Sequence, residues 1–142
     1  MSKNIVSVVK INEGIVSRYI KPSFVEDNKI LNEAFDLRDR TPPEEFVSFY
    51  LVKNSDENSM YKEAIKLLPI LPKASGVMIL LDIKESLEEI NDEVEEIINF
   101  VDKSLPHCGL VYLTNNRMKI QEAKTTLSYL AKNRFKLVKN IS

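Results

Sequence analysis

The chain is short of the residues that carry most enzyme chemistry: among its 142 residues are one histidine, one cysteine, three glycines and no tryptophan. A single cysteine closes no intrachain disulfide. One histidine and one cysteine cannot furnish a zinc or iron–sulfur ligand set without a partner chain. Three isolated glycines exclude the dinucleotide fingerprint and the phosphate-cradling P-loop, each of which needs several glycines close together. No serine lies in a G-x-S-x-G elbow, so a Ser-His-Asp arrangement has only His107 to run through. No metal and no cofactor is expected.

Charge of one sign is also missing. Lys and Arg number 20 against 21 Asp and Glu, and a net charge of −1 gives no global attraction to nucleic acid or to an anionic membrane. The opening residues lack the apolar core and cleavage site of a signal peptide, and no apolar run approaches the roughly 20 residues that span a bilayer. A cytoplasmic protein with no membrane association is expected. With 44% hydrophobic residues the chain is long enough for one domain, 1–142, with a sizeable core.

What is there is periodic. "VSVVKI" and "IVSRYI" flank a polar turn ending at Gly14 and read as a hairpin. A loop starts at Pro22, "ILNEAFDLR" is a short strand or an irregular segment, and "DRTPPEE" breaks regular structure. From Phe46 the pattern alternates. "FVSFYLV" reads as a central strand covered on both faces, and a short helix through Tyr61, Ala64, Ile65 and Leu68 stops at Pro69. The strand "GVMILLDI" precedes a capping box of Ser86 and Glu89, which opens an acidic helix from Ser86 to Lys103 with the stripe Leu87, Ile90, Val94, Ile97 and Val101. The strand "CGLVYL" leads into a last amphipathic helix carrying Ile120, Ala123, Leu127, Leu130 and Ala131, and "RFKLV" suggests a final strand. The expected fold class is α/β or α+β: a β-rich segment over 1–45, then alternating strands and helices over 46–142 on a mixed, partly parallel sheet.

Three groups of residues are candidates for function. His107 and Cys108 are adjacent, so on a strand they point to opposite faces and cannot meet as base and nucleophile; Cys108 then reads as a small buried hydrophobe. Asp82 and the run Thr114, Asn115, Asn116 follow two strands. If those strands are parallel, both clusters fall at the carboxyl edge of the sheet, where a nucleotide-like ligand would sit; the plainer reading is helix capping. Arg18 projects with Val16 and Ile20 on an apolar face, which calls either for an anionic ligand, with Lys21 beside it, or for an ion pair with an acid such as Asp36; the ion pair is favoured. The basic stretch from Arg117 to Lys139 has little aromatic content for base stacking. It disfavours nucleic acid, and against the acidic helix it leaves self-association or docking to a protein partner.

The elements "SRYIKPS", "NEAFDLR", "EEFVSFYLV" and "LPHCGLVYL" resemble a family of small uncharacterised bacterial proteins with Arg-x-Ile-x-Pro, Ala-Phe-x-Leu-Arg and Glu-Glu-x-x-Ser elements and a late histidine before an apolar strand. That family is similar to proteins of accessory genes in mobile elements and defence loci. The resemblance implies a partner or adaptor role, makes Arg18 and His107 shared features, and assigns no catalytic residue. Missing catalytic motifs and the segregated charges make a non-catalytic protein-binding module the leading expectation. A small nucleotide-like ligand at Arg18, Lys21, Asp82, His107 and Thr114–Asn116 comes second, and an unusual enzyme using His107 third.

Overall fold

The structure, a computed structural model, describes residues 9–38 and 44–141. In chain order these form β1 (Lys10–Ile11), β2 (Ile15–Ile20), β3 (Val25–Glu26), β4 (Lys29–Ile30), β5 (Val47–Val52), α1 (Glu57–Leu67), β6 (Val77–Asp82) and α2 (Ile83–Ile90). β7 (Ile98–Asp102), β8 (His107–Tyr112), α3 (Arg117–Ala131) and β9 (Phe135–Leu137) complete the chain. Seven strands make one sheet in the order β1-β7-β8-β5-β2-β6-β9, and β3 with β4 makes a small separate hairpin. Short 3-10 turns occupy Pro22–Phe24, Asn32–Phe35 and Val138–Asn140.

Side-chain alternation explains why the strongest strands are apolar throughout. In β6, Val77, Ile79 and Leu81 join the core beneath α2 and α3, while Met78 and Leu80 meet Met60, Tyr61 and Ala64 of α1 on the other face. The sheet is thus sandwiched, with α1 on one side and α2, α3 and the Asn32–Phe35 turn on the other. β5 lies fourth of the seven, as its composition predicts, and Phe49 in its middle meets Phe35 in a stack and Phe100 edge-on at 5.8 Å. α1 starts where Asp56 accepts the Ser59 amide, and its helix gives way before Pro69.

The single-domain mixture of helices and strands is as expected, but the partly parallel sheet is not: every ladder is antiparallel. The crossovers themselves hold. β5 and β6, joined through α1, run in the same direction, yet β2 lies between them antiparallel to both. β6 and β7, and β8 and β9, are likewise parallel in sense and separated in the sheet. A strand–helix–strand pattern sets direction; it does not set adjacency.

Two further expectations are corrected. The hairpin around Gly14 does not form within the described residues: β1 pairs with β7, while β2 is inserted between β5 and β6, pairing with β6 along its whole length and with β5 over Ile15–Ser17. Gly14 turns the chain at φ +123. Residues 39–43 of the "DRTPPEE" break lie outside the described residues. The acidic helix is shorter than expected and begins earlier, at Ile83, with Asp82 as its cap; Ser86 sits inside it and donates to Asp82 O at 2.8 Å. It stops at Asn91, whose Oδ1 accepts the amides of Ile97 and Ile98 at 2.8 and 2.9 Å and thereby launches the β-branched run Ile97–Val101 as β7. Val94, placed on the apolar stripe by spacing, is 95% exposed.

This architecture separates two apolar residues sharply. Phe49→Ala should cost about 3–5 kcal/mol in urea denaturation, and Val94→Ala should stay within about 0.5 kcal/mol of wild type. A large loss at Val94 would restore the long helix.

Candidate functional site

Arg18 faces the α2–α3 side with Val16 and Ile20, as its spacing requires, but its partner is not Asp36, which pairs with Lys124 at 2.6 Å. The β2–β5 ladder stops at Ser17 opposite Tyr50, whereas the β2–β6 ladder continues to Ile20 opposite Val77. Where β2 and β5 part, the Arg18 guanidinium stands in for the missing ladder: Nη1 donates to Ser48 O at 2.9 Å and Nε to Ala34 O at 3.0 Å. Its plane lies over Phe49, 5.9 Å from the ring centroid. Burial pushes this guanidinium down to about 10, against the field of Glu44, so it stays cationic at neutral pH.

On the opposite face, Ser48 and His107 meet. Gly109 lies across from Ser48 and His107 across from Tyr50, which makes Ser48 and His107 diagonal neighbours on one side of the β5–β8 pair. Ser48 Oγ and His107 Nε2 are hydrogen-bonded at 2.5 Å. The imidazole sits between Phe46 at 5.7 Å and Tyr50 at 5.2 Å, and Lys103 Nζ lies 4.7 Å from the Phe46 centroid. Gly109 makes this possible, because a Cβ there would approach the Phe46 ring to 2.6 Å. With the imidazole proton on Nδ1, Nε2 accepts the serine proton, the relation of a general base to a hydroxyl. Asp102, the acid nearest in sequence, is committed elsewhere: its Oδ1 accepts the amides of Ser104 and Leu105.

Cys108 points away from His107 into the core, fully buried, and burial together with the field of Asp102 raises its thiol to about 12. It is an inert small hydrophobe, as strand geometry implies.

The remaining candidates do not gather. Because β6 and β8 run in opposite directions, Asp82 lies at one edge of the sheet and Thr114, Asn115 and Asn116 at the other. Lys21, just past β2, shares the Thr114 edge, and His107 shares the Asp82 edge. The polar groups act as caps: Asp82 accepts the Glu85 amide, Asn116 accepts the Lys119 amide, and Thr114 Oγ1 accepts the Asn116 amide. Lys21 lies over the Phe24 ring at 4.6 Å. Asp82 borders a depression of about 210 Å³ with Glu85, Asn133 and Arg134. Among the described residues no His, Cys, Asp or Glu cluster could hold a metal ion, and no helix is long and apolar enough to cross a membrane. The charge segregation is partly satisfied internally, through Lys119 with Glu95 and Lys124 with Asp36.

Two features escaped the sequence reading. Ser48 could be matched to His107 only once the β5–β8 register was known. Ile70 and Leu71, 73% and 94% exposed, stand between Pro69 and Pro72, and the signal was present in "PILP", an aliphatic pair where neither helix nor strand can continue. No known protein family, curated protein or solved structure matches the chain.

If Arg18 is structural, Arg18→Met should lower stability by about 3 kcal/mol in urea denaturation, since two carbonyls lose their donor. Unchanged stability would return Arg18 to the ligand reading. Native Cys108 should resist a disulfide reagent at pH 8 and react only on unfolding; fast labelling of the folded protein would contradict its burial.

Proposed function

We propose that the protein is a non-catalytic cytoplasmic binding module that works by docking a protein partner, as an accessory protein of a bacterial or phage mobile-element or defence system. The observation that carries this reading is the loop after α1. Leu67 and Leu68 pack on the α1 core, and the next aliphatic pair, Ile70 and Leu71, is turned outward between two prolines. Prolines restrict the free loop, so less conformational freedom is lost when it docks. The polar candidate residues, by contrast, serve largely as caps and internal hydrogen-bond partners.

The accessory setting is supported by the resemblance of four sequence elements, and these elements touch. Arg18 bonds Ala34 O and Ser48 O, Arg38 pairs with Glu44 at 2.8 Å, and Ser48 bonds His107.

A second reading, an enzyme using His107, is favoured by the 2.5 Å Ser48–His107 bond alone. His107→Ala would then abolish an activity without changing the folded fraction.

The two are separated by affinity capture from the native host with wild type and with the Ile70→Asp/Leu71→Asp variant. Wild type should retain a stable protein partner, and the variant should lose it while its stability stays within about 0.5 kcal/mol. A wild type without a partner, or a variant that keeps it, would overturn the docking role.

A further inference from the structure

On the face of the sheet away from α1, a groove of about 500 Å³ runs between the β3–β4 hairpin and α3. That volume lies within the roughly 300–1,000 Å³ of small-molecule sites. Its two walls are fixed by the fold. Asp27 and Asn28, at φ 51 and 61, turn the hairpin tightly, and Leu31 N donates to Phe24 O at 2.9 Å where it ends. Asn32 ties this wall to α3, donating to Thr125 Oγ1 at 2.8 Å and accepting from Ser128 Oγ at 2.9 Å.

The open side of the groove carries a ring and two cations. Among the described residues Tyr129 is the one aromatic side chain that is largely exposed, at 67%, because it lies off the buried stripe Ala123, Leu127 and Ala131 of α3. Lys132 follows it by three positions and so shares its flank of the helix, and Lys29 lines the groove from the hairpin. Both lysines are exposed, and neither has an ion-pair partner among the described residues. Glu33 is the one acid in the lining, which leaves the groove net cationic. A free ring offers a stacking surface to a planar base. Two ammonium groups match a phosphate monoester, with a charge of about −1.5 to −2 at neutral pH, better than they match a single carboxylate.

We infer that this groove binds a nucleoside monophosphate, with the base on the Tyr129 ring and the phosphate held by Lys29 and Lys132. The side-chain amide of Gln121, which makes no hydrogen bond among the described residues, is at hand for the sugar or the base edge. The site shares no residue with the Arg18 and His107 groups. Nor does it depend on the docking role of the Ile70–Leu71 loop, which leaves α1 on the other face of the sheet.

Titration of adenosine 5′-monophosphate into the full-length chain, followed by NMR of the tyrosine ring signals, tests it. Binding should saturate with a Kd below about 1 mM, shift the Tyr129 ring, and be at least about tenfold tighter than that of adenosine or of inorganic phosphate alone. Tyr129→Ala should weaken binding of the monophosphate and of adenosine alike by at least about fivefold, as loss of a stacked base requires. Lys29→Met/Lys132→Met should leave adenosine binding unchanged and bring the monophosphate down to the level of adenosine. All three side chains are exposed, and a thermal melt confirms that each variant is folded. No saturable shift at Tyr129, inorganic phosphate binding as tightly as the monophosphate, or either variant keeping wild-type affinity would overturn the inference.

Discussion

The structure turns on one cation in a place where two strands separate. β2 parts from β5 beyond Ser17, and on that part of the sheet the Asn32–Phe35 turn buries Ala34 and Phe35 completely. Parting leaves Ser48 O without the amide that a continuing ladder would supply, and an orphaned carbonyl in that position is costly. Arg18 supplies the donor and at the same time ties in Ala34 O. A lysine would offer a point charge; the planar guanidinium reaches two carbonyls in fixed directions while resting on the Phe49 ring.

The neighbouring contacts converge on the same seam. Phe35, Phe49 and Phe100 pack in sequence across it, and Tyr112 Oη donates to Phe35 O at 2.6 Å. α3 is fastened over it by Asn32, which bonds Thr125 and Ser128, and by the Lys124–Asp36 pair. These surface contacts contribute modestly, an exposed ion pair at most about 1 kcal/mol, so the aromatic packing and the Arg18 bonds dominate. On the reverse face the same strand residue, Ser48, offers its hydroxyl to His107. Backbone and side chain of one residue thus link the two faces of the sheet.

Much of this was legible where periodicity was unambiguous. β5, β6 and β8 are largely apolar runs, α1 shows a helical stripe between the Asp56 cap and Pro69, and α3 shows one behind the Asn116 cap. The face of Arg18 and the opposite orientations of His107 and Cys108 also follow from alternation alone. What failed did so for physical reasons. Acids spaced among Leu87, Ile90 and Val94 imitate an amphipathic helix, and only the bonds of Asn91 to Ile97 and Ile98 reveal that the chain becomes a strand. The insertion of β2 between β5 and β6 is a long-range choice that no local pattern encodes. Ser48 and His107 are 59 positions apart, and a register is needed to bring them together.

The central claim is that the polar residues which look like a binding site hold the fold together. Nitrogen-15 NMR of the Arg18 side chain tests this most directly. The account predicts an Arg18 Nε–H signal at neutral pH that exchanges with water far more slowly than that of exposed Arg117 and does not move when inorganic phosphate is added. An Arg18 Nε–H that exchanges as fast as Arg117, or that shifts with phosphate, would contradict it.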